Sequence, residues 1–376
     1  MVYSALPKWE IYFLGNNLFQ PQVIKKWVIE ETLLVNRIDR IVNEKSFLHL
    51  HNLDNAIFFA TIEYFKSIWA KWTNLPLTTL MISSPGEVYA WQTLDYTTDT
   101  LPIEIPDRFW TWKRIFMAES SQFYLELTLL IQGVNQVFSI YNSFRKETSD
   151  PTHLSEFQHI EYEGKVWLEE NIKIFSWLYE YIMEYIFKNN MDDLKVFLSD
   201  SQIEAKKNII KKGPIRIQFY DALKLLYEAT KDEKYKEFTM KYFWSREEVK
   251  LTELLWWNVI VESFPMLQIP FYHAIAEETV AWVPVAKNAD FILYWYRETI
   301  GSWERIVDKE TLLKKADIFN LPKADYLPYV VSRDYQTYER TSGFWLGRQR
   351  LLQWITNQPY IYEATIIPRT HLIPNP

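Results

Sequence analysis

The sequence predicts an α/β (α+β) protein in which helices flank an antiparallel-rich β-sheet. Three observations support this prediction. Apolar residues recur at three- and four-residue steps before residue 73, as they do in amphipathic helices. Short aromatic and β-branched runs that are typical of strands follow from residue 116 onward. Helical patterns separate these runs without a regular βαβ rhythm, which favours antiparallel strand pairing.

The first helices precede any strand. Periodic apolar residues at 23–41 predict one amphipathic helix, and those at 56–72, after Asn55 as a candidate N-cap, predict a second. Residues 1–55 are therefore expected to form an N-terminal helical extension, and residues 56–376 the main domain. Later helical segments are predicted at 121–130, across most of 165–250 as a largely helical insertion, and at 347–356.

Strands are predicted at 116–118, 136–140, 157–163, 257–261, 280–285 and 290–295. Within 157–163, charged and apolar residues partly alternate, so the charged side chains share one face of the strand. Such a charged face is either the floor of a binding site or a surface that simply meets water.

Composition excludes several kinds of chemistry. The chain has 376 residues and no cysteine, which excludes disulfides, thiolate metal sites and cysteine nucleophiles. Its net charge of −7 and scattered lysine pairs argue against nucleic acid as a partner. No secretory signal and no apolar run of membrane-spanning length is visible, so we expect a cytoplasmic protein without membrane contact.

Candidate binding residues cluster between positions 145 and 163. Arg145 and Glu147 are two residues apart, so on a strand they share a face, where the arginine can bind a phosphate and the carboxylate an amino group. Phe157 is able to stack on a purine ring, and Glu161 with Glu163 is able to hold an ammonium group. A surface ion pair explains an isolated Arg-x-Glu equally well.

Two later segments carry further candidates. Asp290 and Glu298 lie near the ends of a strand-like run, and carboxylate oxygens suit a magnesium ion bridged to phosphates, although an ordinary strand–loop junction also explains them. Gly343 and Gly347, two of only eight glycines, bound a strand that leads into a helix with Arg350 in its first turn. Such a helix start favours an anion, while a plain strand–helix turn explains the same pattern.

Together these segments resemble the catalytic domain of class II aminoacyl-tRNA synthetases, specifically the asparaginyl/aspartyl branch. The Arg-x-Glu and His-Leu-x-Glu-Phe runs of residues 144–157 are similar to the family's second motif, and residues 343–351 to its third. Four other segments resemble the family's first motif, amino-acid pocket, magnesium segment and C-terminal end, at residues 74–77, 118–126, 290–305 and 366–370. The six segments occur in the family's order.

The resemblance implies a site for ATP, Mg²⁺ and an amino acid. ATP would be held by Arg145, Glu147, His153, Phe157, Glu298, Gly347 and Arg350. The amino acid would be surrounded by Ser120, Gln122, Glu161, Glu163 and Arg305, with Arg305 meeting its side chain. Asp290 and Glu298 would bind Mg²⁺. Catalysis would rest on Arg145, Arg350 and Glu298, which position and stabilise in-line attack of a carboxylate on the α-phosphate.

Six positions depart from the family pattern, among them Ser302, which stands in place of a glycine. Thr152 stands where an arginine usually precedes the His-Leu pair, Trp345 replaces a glycine of the third motif, and Gln349 replaces its glutamate. Trp303 occupies the place of a serine, and Leu125 that of a lysine found in aspartate-specific members. The tryptophans imply a reshaped pocket.

From the resemblance we predict a tRNA-independent, AMP-forming carbon–nitrogen ligase, similar to archaeal asparagine synthetase. It would adenylate Asp, Asn or an analogue and transfer the acyl group to ammonia or a small amine. The helical pattern of residues 1–55, where this branch carries an anticodon-binding β-barrel, supports the prediction. Two alternatives stay open: a truncated synthetase acting on tRNA or another RNA, and a non-catalytic sensor of amino acid or nucleotide. A homodimer is expected through the Pro76 segment.

Overall fold

The structure is a computed structural model that describes residues 34–83, 88–89, 92–93, 100–106, 112–146 and 152–370. Residues 23–33 of the first predicted helix lie outside this part. The helices are α1 Arg37–Asn43, α2 Ser46–Ser67, α3 Gln122–Thr128, α4 Leu168–Asn189, α5 Met191–Phe197, α6 Asp200–Lys212, α7 Phe219–Thr230, α8 Ser245–Leu255, α9 Lys309–Ile318, α10 Leu327–Val331 and α11 Arg348–Thr356.

The strands form one large sheet and three small ones. They are β1 Lys71–Trp72, β2 Thr78–Thr79, β3 Val88–Tyr89, β4 Gln92–Thr93, β5 Pro102–Pro106, β6 Trp112–Met117, β7 Gln136–Phe144, β8 Glu156–Gly164, β9 Ile215–Gln218, β10 Val259–Glu262, β11 Ile275–Val280, β12 Val283–Ala286, β13 Asn288–Ile292, β14 Glu298–Glu304 and β15 Ser342–Gly347.

The large sheet has eight strands in the order β1-β7-β8-β15-β14-β13-β10-β9. Pairing is antiparallel from β7 through to β10, and only the two edge strands, β1 and β9, pair in parallel. This confirms the predicted antiparallel-rich sheet with flanking helices. Among the described residues, no helix has the length and apolar character needed to cross a membrane.

Aromatic packing joins one face of the sheet to α2 and α4. The ring of Phe65 in α2 stacks on Phe138 of β7 at 4.5 Å and on Tyr162 of β8 at 5.7 Å between centroids. Phe344 of β15 lies 5.9 Å from Phe175 of α4 in an edge-on arrangement. Since aromatic pairs add about 0.5–1.5 kcal/mol to the free energy of area burial, this layer fixes which side of the sheet meets the helices.

Two predicted elements differ from the structure. Helix α2 begins at Ser46, because Phe47, Leu50 and Leu53 already supply its buried side, so Asn55 lies inside the helix rather than capping it. The helix therefore runs through the predicted division at residues 55 and 56, and that division stays a prediction.

The single strand predicted at 280–285 is instead the end of β11 and most of β12, which are separated by a hairpin turn at residues 281–282. Ala281 and Trp282 adopt positive φ angles of 48° and 67°, which reverse the chain between the two strands. Periodicity alone does not reveal such a turn, because neither residue is a typical turn former.

Candidate active site

The candidate residues lie on the face of the sheet that is opposite to α2 and α4. Side chains alternate along a strand, so the packing of Tyr162 and Phe344 against the helices turns their neighbours to the other side. The register places Trp345 of β15 between Glu161 of β8 and Gly301 of β14. Because core side chains alternate with outward-facing ones along β8 and β15, the packing of the core determines which face of the sheet carries the site.

One end of this face forms an open pocket of about 410 Å³. It is lined by Arg145, Thr152, His153, Leu154, Phe157, His159, Trp345, Gly347, Gln349, Arg350 and Ile361. Arg145 follows the last residue of β7, and its guanidinium carbon lies 5.7 Å from the centre of the Phe157 ring. The structure therefore brings Arg145, His153, Phe157, Gly347 and Arg350 together, whereas Glu147 lies outside the described residues.

Arg350, in the first turn of α11, reaches back across the sheet. Its Nη1 donates to the Glu298 backbone oxygen at 2.7 Å and lies 3.7 Å from the Glu298 carboxylate. Burial, and then the positive charge of Arg297, lower the pKa of Arg350 to about 10. A buried guanidinium beside a second one is favourable for an anionic ligand, which would relieve both effects.

Asp290 and Glu298 lie beside this pocket rather than in its lining: Glu298 contacts Arg350, and Asp290 is close enough to feel the charge of Glu298. Burial, and then the negative charges of Glu298 and Glu248, raise the pKa of Asp290 well above its usual range, and burial raises the pKa of Glu298 to about 7. Within the described ranges no group of three or more such side chains could hold a metal ion alone. Mg²⁺ commonly binds through one or two carboxylates plus phosphates, and this mutually repelling pair fits that chemistry.

The five predicted amino-acid ligands also come together. Arg305 is fully buried, and its Nε and Nη2 donate to the two Glu163 carboxylate oxygens at 3.0 and 2.5 Å, in the bidentate geometry of strong ion pairs. Its Nη1 donates to Gln122 Oε1 at 3.3 Å. Ser120 Oγ donates to Glu161 Oε1 at 2.7 Å.

Among these five residues, Glu161 is the buried charged group whose hydrogen bonding is least complete. Its Oε2 atom is buried without a hydrogen-bond partner, and burial raises the pKa of the carboxyl to about 7. Glu163 next to it carries a pKa that burial raises and the Arg305 charge lowers. Because Arg305 pairs with Glu163, the negative charge and the free oxygen of Glu161 remain to be compensated, as a ligand ammonium group would do.

Trp345 separates the two groups of residues. Its indole lies over Gly301, where an added Cβ would stand 2.8 Å from Nε1, and its ring centre is 5.0 Å from that of His159. The guanidinium carbon of Arg350 lies 5.8 Å from the indole. Trp345, which replaces a motif glycine, therefore forms the wall between the arginine-lined pocket and the predicted amino-acid ligands. We call these ligands the acidic set: Ser120, Gln122, Glu161, Glu163 and Arg305.

Several site residues were not predicted from the sequence. Arg297 donates to the Thr152 backbone oxygen, and Glu248 accepts from the Glu298 backbone nitrogen at 2.8 Å. Tyr272, from the loop before β11, lies 4.9 Å from the Arg305 guanidinium carbon. Arg297 lies within the motif-like segment 290–305 but was not singled out there, and neither Glu248 nor Tyr272 falls in one of the six segments.

An antiparallel sheet with this charged face, an arginine at the end of a strand and a second one at the start of the last helix define a class II synthetase-like catalytic domain. The model for the family "tRNA synthetases class II (D, K and N)" matches residues 96–371. The chain belongs to this family, which confirms the resemblance.

Similar proteins are asparagine–tRNA ligases. That of Thermoplasma acidophilum is 30% identical over 260 residues, covering 68% of this chain and 57% of its own length. That of Porphyromonas gingivalis is 28% identical over 258 residues, covering 65% and 53%. The chain thus spans about half the length of these curated relatives.

Solved structures share the fold. The asparaginyl-tRNA synthetase of Pyrococcus horikoshii in complex with asparaginyl-adenylate has a TM-score of 0.80 at 23% identity, over 93% of this chain and 74% of that one. The aspartyl-tRNA synthetase of Entamoeba histolytica has a TM-score of 0.70 at 20% identity, over 93% and 64%.

Proposed function

We propose that this chain is an ATP-dependent ligase that activates the carboxylate of an amino acid as an aminoacyl adenylate. The observation that carries the proposal is the placement of two complementary groups on one sheet face: the pocket of Arg145, Phe157 and Arg350, and the buried set around Glu161 and Arg305. The family and its adenylate-bound member from Pyrococcus horikoshii support this chemistry.

In the nucleotide pocket, Phe157 stacks on adenine, Arg145 binds the α-phosphate and Arg350 the outer phosphates. Mg²⁺ bound through Asp290 and Glu298 would neutralise phosphate charge. A carboxylate oxygen attacks the α-phosphorus, the bond to the bridging oxygen breaks, and pyrophosphate leaves. The arginines accelerate this step by holding the reactants in line and stabilising the charge on the phosphoryl oxygens.

In the acidic set, ionised Glu161 accepts the ammonium group of the amino acid, and Ser120 fixes the orientation of that carboxylate. Arg305 faces the amino-acid side chain, held by Glu163 and Gln122. Asparagine and aspartate are the first substrates to test, because the similar proteins are asparagine–tRNA ligases and the fold is shared with an aspartyl enzyme.

Two acceptors are considered for the acyl group. We favour ammonia or a small amine, whose nitrogen attacks the acyl carbon of the adenylate as AMP leaves, since the net charge of −7 is unfavourable for binding a polyanion. The second candidate is tRNA, which is favoured by the names of the relatives.

We also propose a homodimer that forms along the β1 edge of the sheet. Trp69 and Trp72 are 87% and 60% exposed there, and Leu77 and Leu80 of the following segment are also exposed. An edge strand that exposes large apolar side chains favours association. Light scattering after size exclusion should give twice the monomer mass, and Trp72→Glu should shift it to the monomer.

The test of the function is amino-acid-dependent ATP turnover. AMP and pyrophosphate are followed for a panel of amino acids with hydroxylamine as acceptor, and for deacylated tRNA in place of hydroxylamine. Formation of a hydroxamate with one amino acid identifies the acyl donor, and charged tRNA supports the second candidate. Arg350→Met should abolish turnover, whereas Arg216→Met, at the β9 edge, should not. ATP binding without AMP from any amino acid would refute the proposal and favour a nucleotide sensor.

A further inference from the structure

Arg297 occupies the turn between β13 and β14, directly before Glu298. The turn is closed by the Leu293 amide, which donates to the Arg297 backbone oxygen at 3.3 Å, and the Arg297 residue is only 4% exposed. A buried arginine in a tight turn is costly unless its donors and its charge are used.

Two hydrogen-bond donors of Arg297 bind the segment of the pocket lining that contains Thr152 and His153. Nη1 donates to the Thr152 backbone oxygen at 3.0 Å, and Nη2 donates to His153 Nε2 at 3.0 Å. Because arginine cannot accept, His153 Nε2 is unprotonated and its proton is on Nδ1, which lies 3.2 Å from the Thr152 hydroxyl. Arg297 therefore contacts the position where the family pattern has an arginine and this chain has threonine.

The remaining hydrogen-bond donor and the positive charge of Arg297 are suited to an anionic ligand. The Nε atom of Arg297 is buried without a hydrogen-bond partner. The charge of Arg297 acts on both Arg350 and Glu298, so its guanidinium is close to the proposed phosphate and magnesium ligands. A cluster of arginines with an unused donor is suited to a multivalent phosphate, whose oxygens can accept several charge-assisted hydrogen bonds.

We propose that Arg297 replaces the arginine missing at position 152 and binds the terminal phosphates of ATP, and hence pyrophosphate. This inference rests on the proposed function. The positive charge is supplied from the β13–β14 turn instead of from the segment before His153, and the same side chain orders that segment by binding its backbone.

Calorimetric titration of the full chain with ATP, inorganic pyrophosphate and AMP tests the inference. Arg297→Met should weaken ATP and pyrophosphate binding by roughly tenfold or more, as expected for lost charge-assisted hydrogen bonds, and leave AMP within about twofold. Arg216→Met, the same change on the edge strand β9, is the matched control and should bind all three ligands normally, because Arg216 lies outside the pocket. The double variant Thr152→Arg, Arg297→Met should recover most of the pyrophosphate affinity.

Four results would overturn the inference. Equal binding of ATP and pyrophosphate by Arg297→Met would show that its charge is not used. An equal loss for AMP would show that Arg297 only orders the pocket wall. If the Met variant does not fold, Arg297→Lys retains the charge, and a Lys variant that folds but loses pyrophosphate would contradict a role for that charge. Absence of ATP, pyrophosphate and AMP binding by the unaltered chain would refute the proposed function together with the inference.

Discussion

The ionisation of Glu161 should control the affinity of the site for an amino acid. The carboxyl is completely buried in β8, accepts from Ser120 Oγ at 2.7 Å, and has a second oxygen without a partner. Burial raises its pKa to about 7, so the group changes charge in the physiological range. Only the ionised form can pair with an ammonium group, so protonation should weaken amino-acid binding.

The size of the effect follows from that pKa. With a pKa of about 7, roughly a tenth of the Glu161 carboxyls are ionised at pH 6 and roughly nine tenths at pH 8. An amino-acid ammonium group stays protonated across this range, so the KM for the amino acid should fall about tenfold from pH 6 to pH 8. Glu161→Gln has the same shape without the charge, and its KM should be high and nearly independent of pH.

The assay is ATP–pyrophosphate exchange with the amino acid that reacts fastest, at saturating ATP, from pH 6 to pH 8. Glu180→Gln is the control, because Glu180 also has a pKa raised by burial but lies on α4, away from the site face. The reasoning is wrong if the KM of the unaltered chain is flat with pH, or if Glu161→Gln keeps the tenfold change.

Three other changes have defined outcomes. Gly343→Ala should lower the urea midpoint of unfolding by an amount worth about 3 kcal/mol or more, because its Cβ would lie 2.1 Å from Glu163 Oε2 and break a buried ion pair. Burial lowers the pKa of Lys315 to about 7 from 10.5, so unfolding takes up a proton. The free energy of unfolding relative to Lys315→Met should therefore rise by about 1.3 kcal/mol from pH 8 to pH 9, as urea titrations would show. Trp345→Gly should weaken ATP binding about two- to fivefold in calorimetry, since the stacked guanidinium loses about 0.5–1 kcal/mol.

Each of these predictions has a result that contradicts it. An unfolding midpoint of Gly343→Ala close to that of the unaltered chain would mean that β15 can move away from Glu163. Stability curves that stay parallel between pH 8 and pH 9 would mean that Lys315 is charged in the folded chain. Unchanged ATP affinity in Trp345→Gly would mean that the indole does not contribute to the nucleotide pocket.

Much of the fold was predictable because its main elements follow simple periodicities. Strand β8 alternates charged and apolar residues, and the segment 165–250 holds helices α4 to α8 with one short strand, β9. The two incorrect predictions, the Asn55 cap and the uninterrupted strand at 280–285, fail because neighbouring residues override the local pattern. Asn55 has a side chain that is able to cap a helix, but the apolar residues before it extend the helix past this position. The turn at Ala281 and Trp282 depends on positive φ angles that these residue types do not predict.

The candidate site likewise contains some residues that the sequence identified and others that it did not. Glu161 was identified from its place on one face of a strand and Arg305 from the family resemblance, and the structure places both in one buried set. Arg297 and Tyr272 were missed because they enter the site from turns and loops, where three-dimensional proximity has no periodic signature in the chain. Glu248 is on a helix of the predicted insertion, and only the fold brings it to Glu298.

The departures from the family pattern favour a rebuilt nucleotide pocket over a decayed one. Thr152, Trp345 and Gln349 all line the same pocket, and each is accommodated by a specific contact. Gln349 Oε1 accepts from the Gln158 amide at 2.9 Å, Trp345 packs against the face of Gly301, and the Thr152 hydroxyl lies 3.2 Å from His153 Nδ1. Random loss of function would leave cavities and unpaired groups at such positions, whereas satisfied local contacts indicate selection for a defined shape. Trp303, another departure, lies 5.1 Å from the Arg305 guanidinium carbon, so the rebuilt surface extends from the proposed nucleotide pocket to the side of the site proposed for the amino acid.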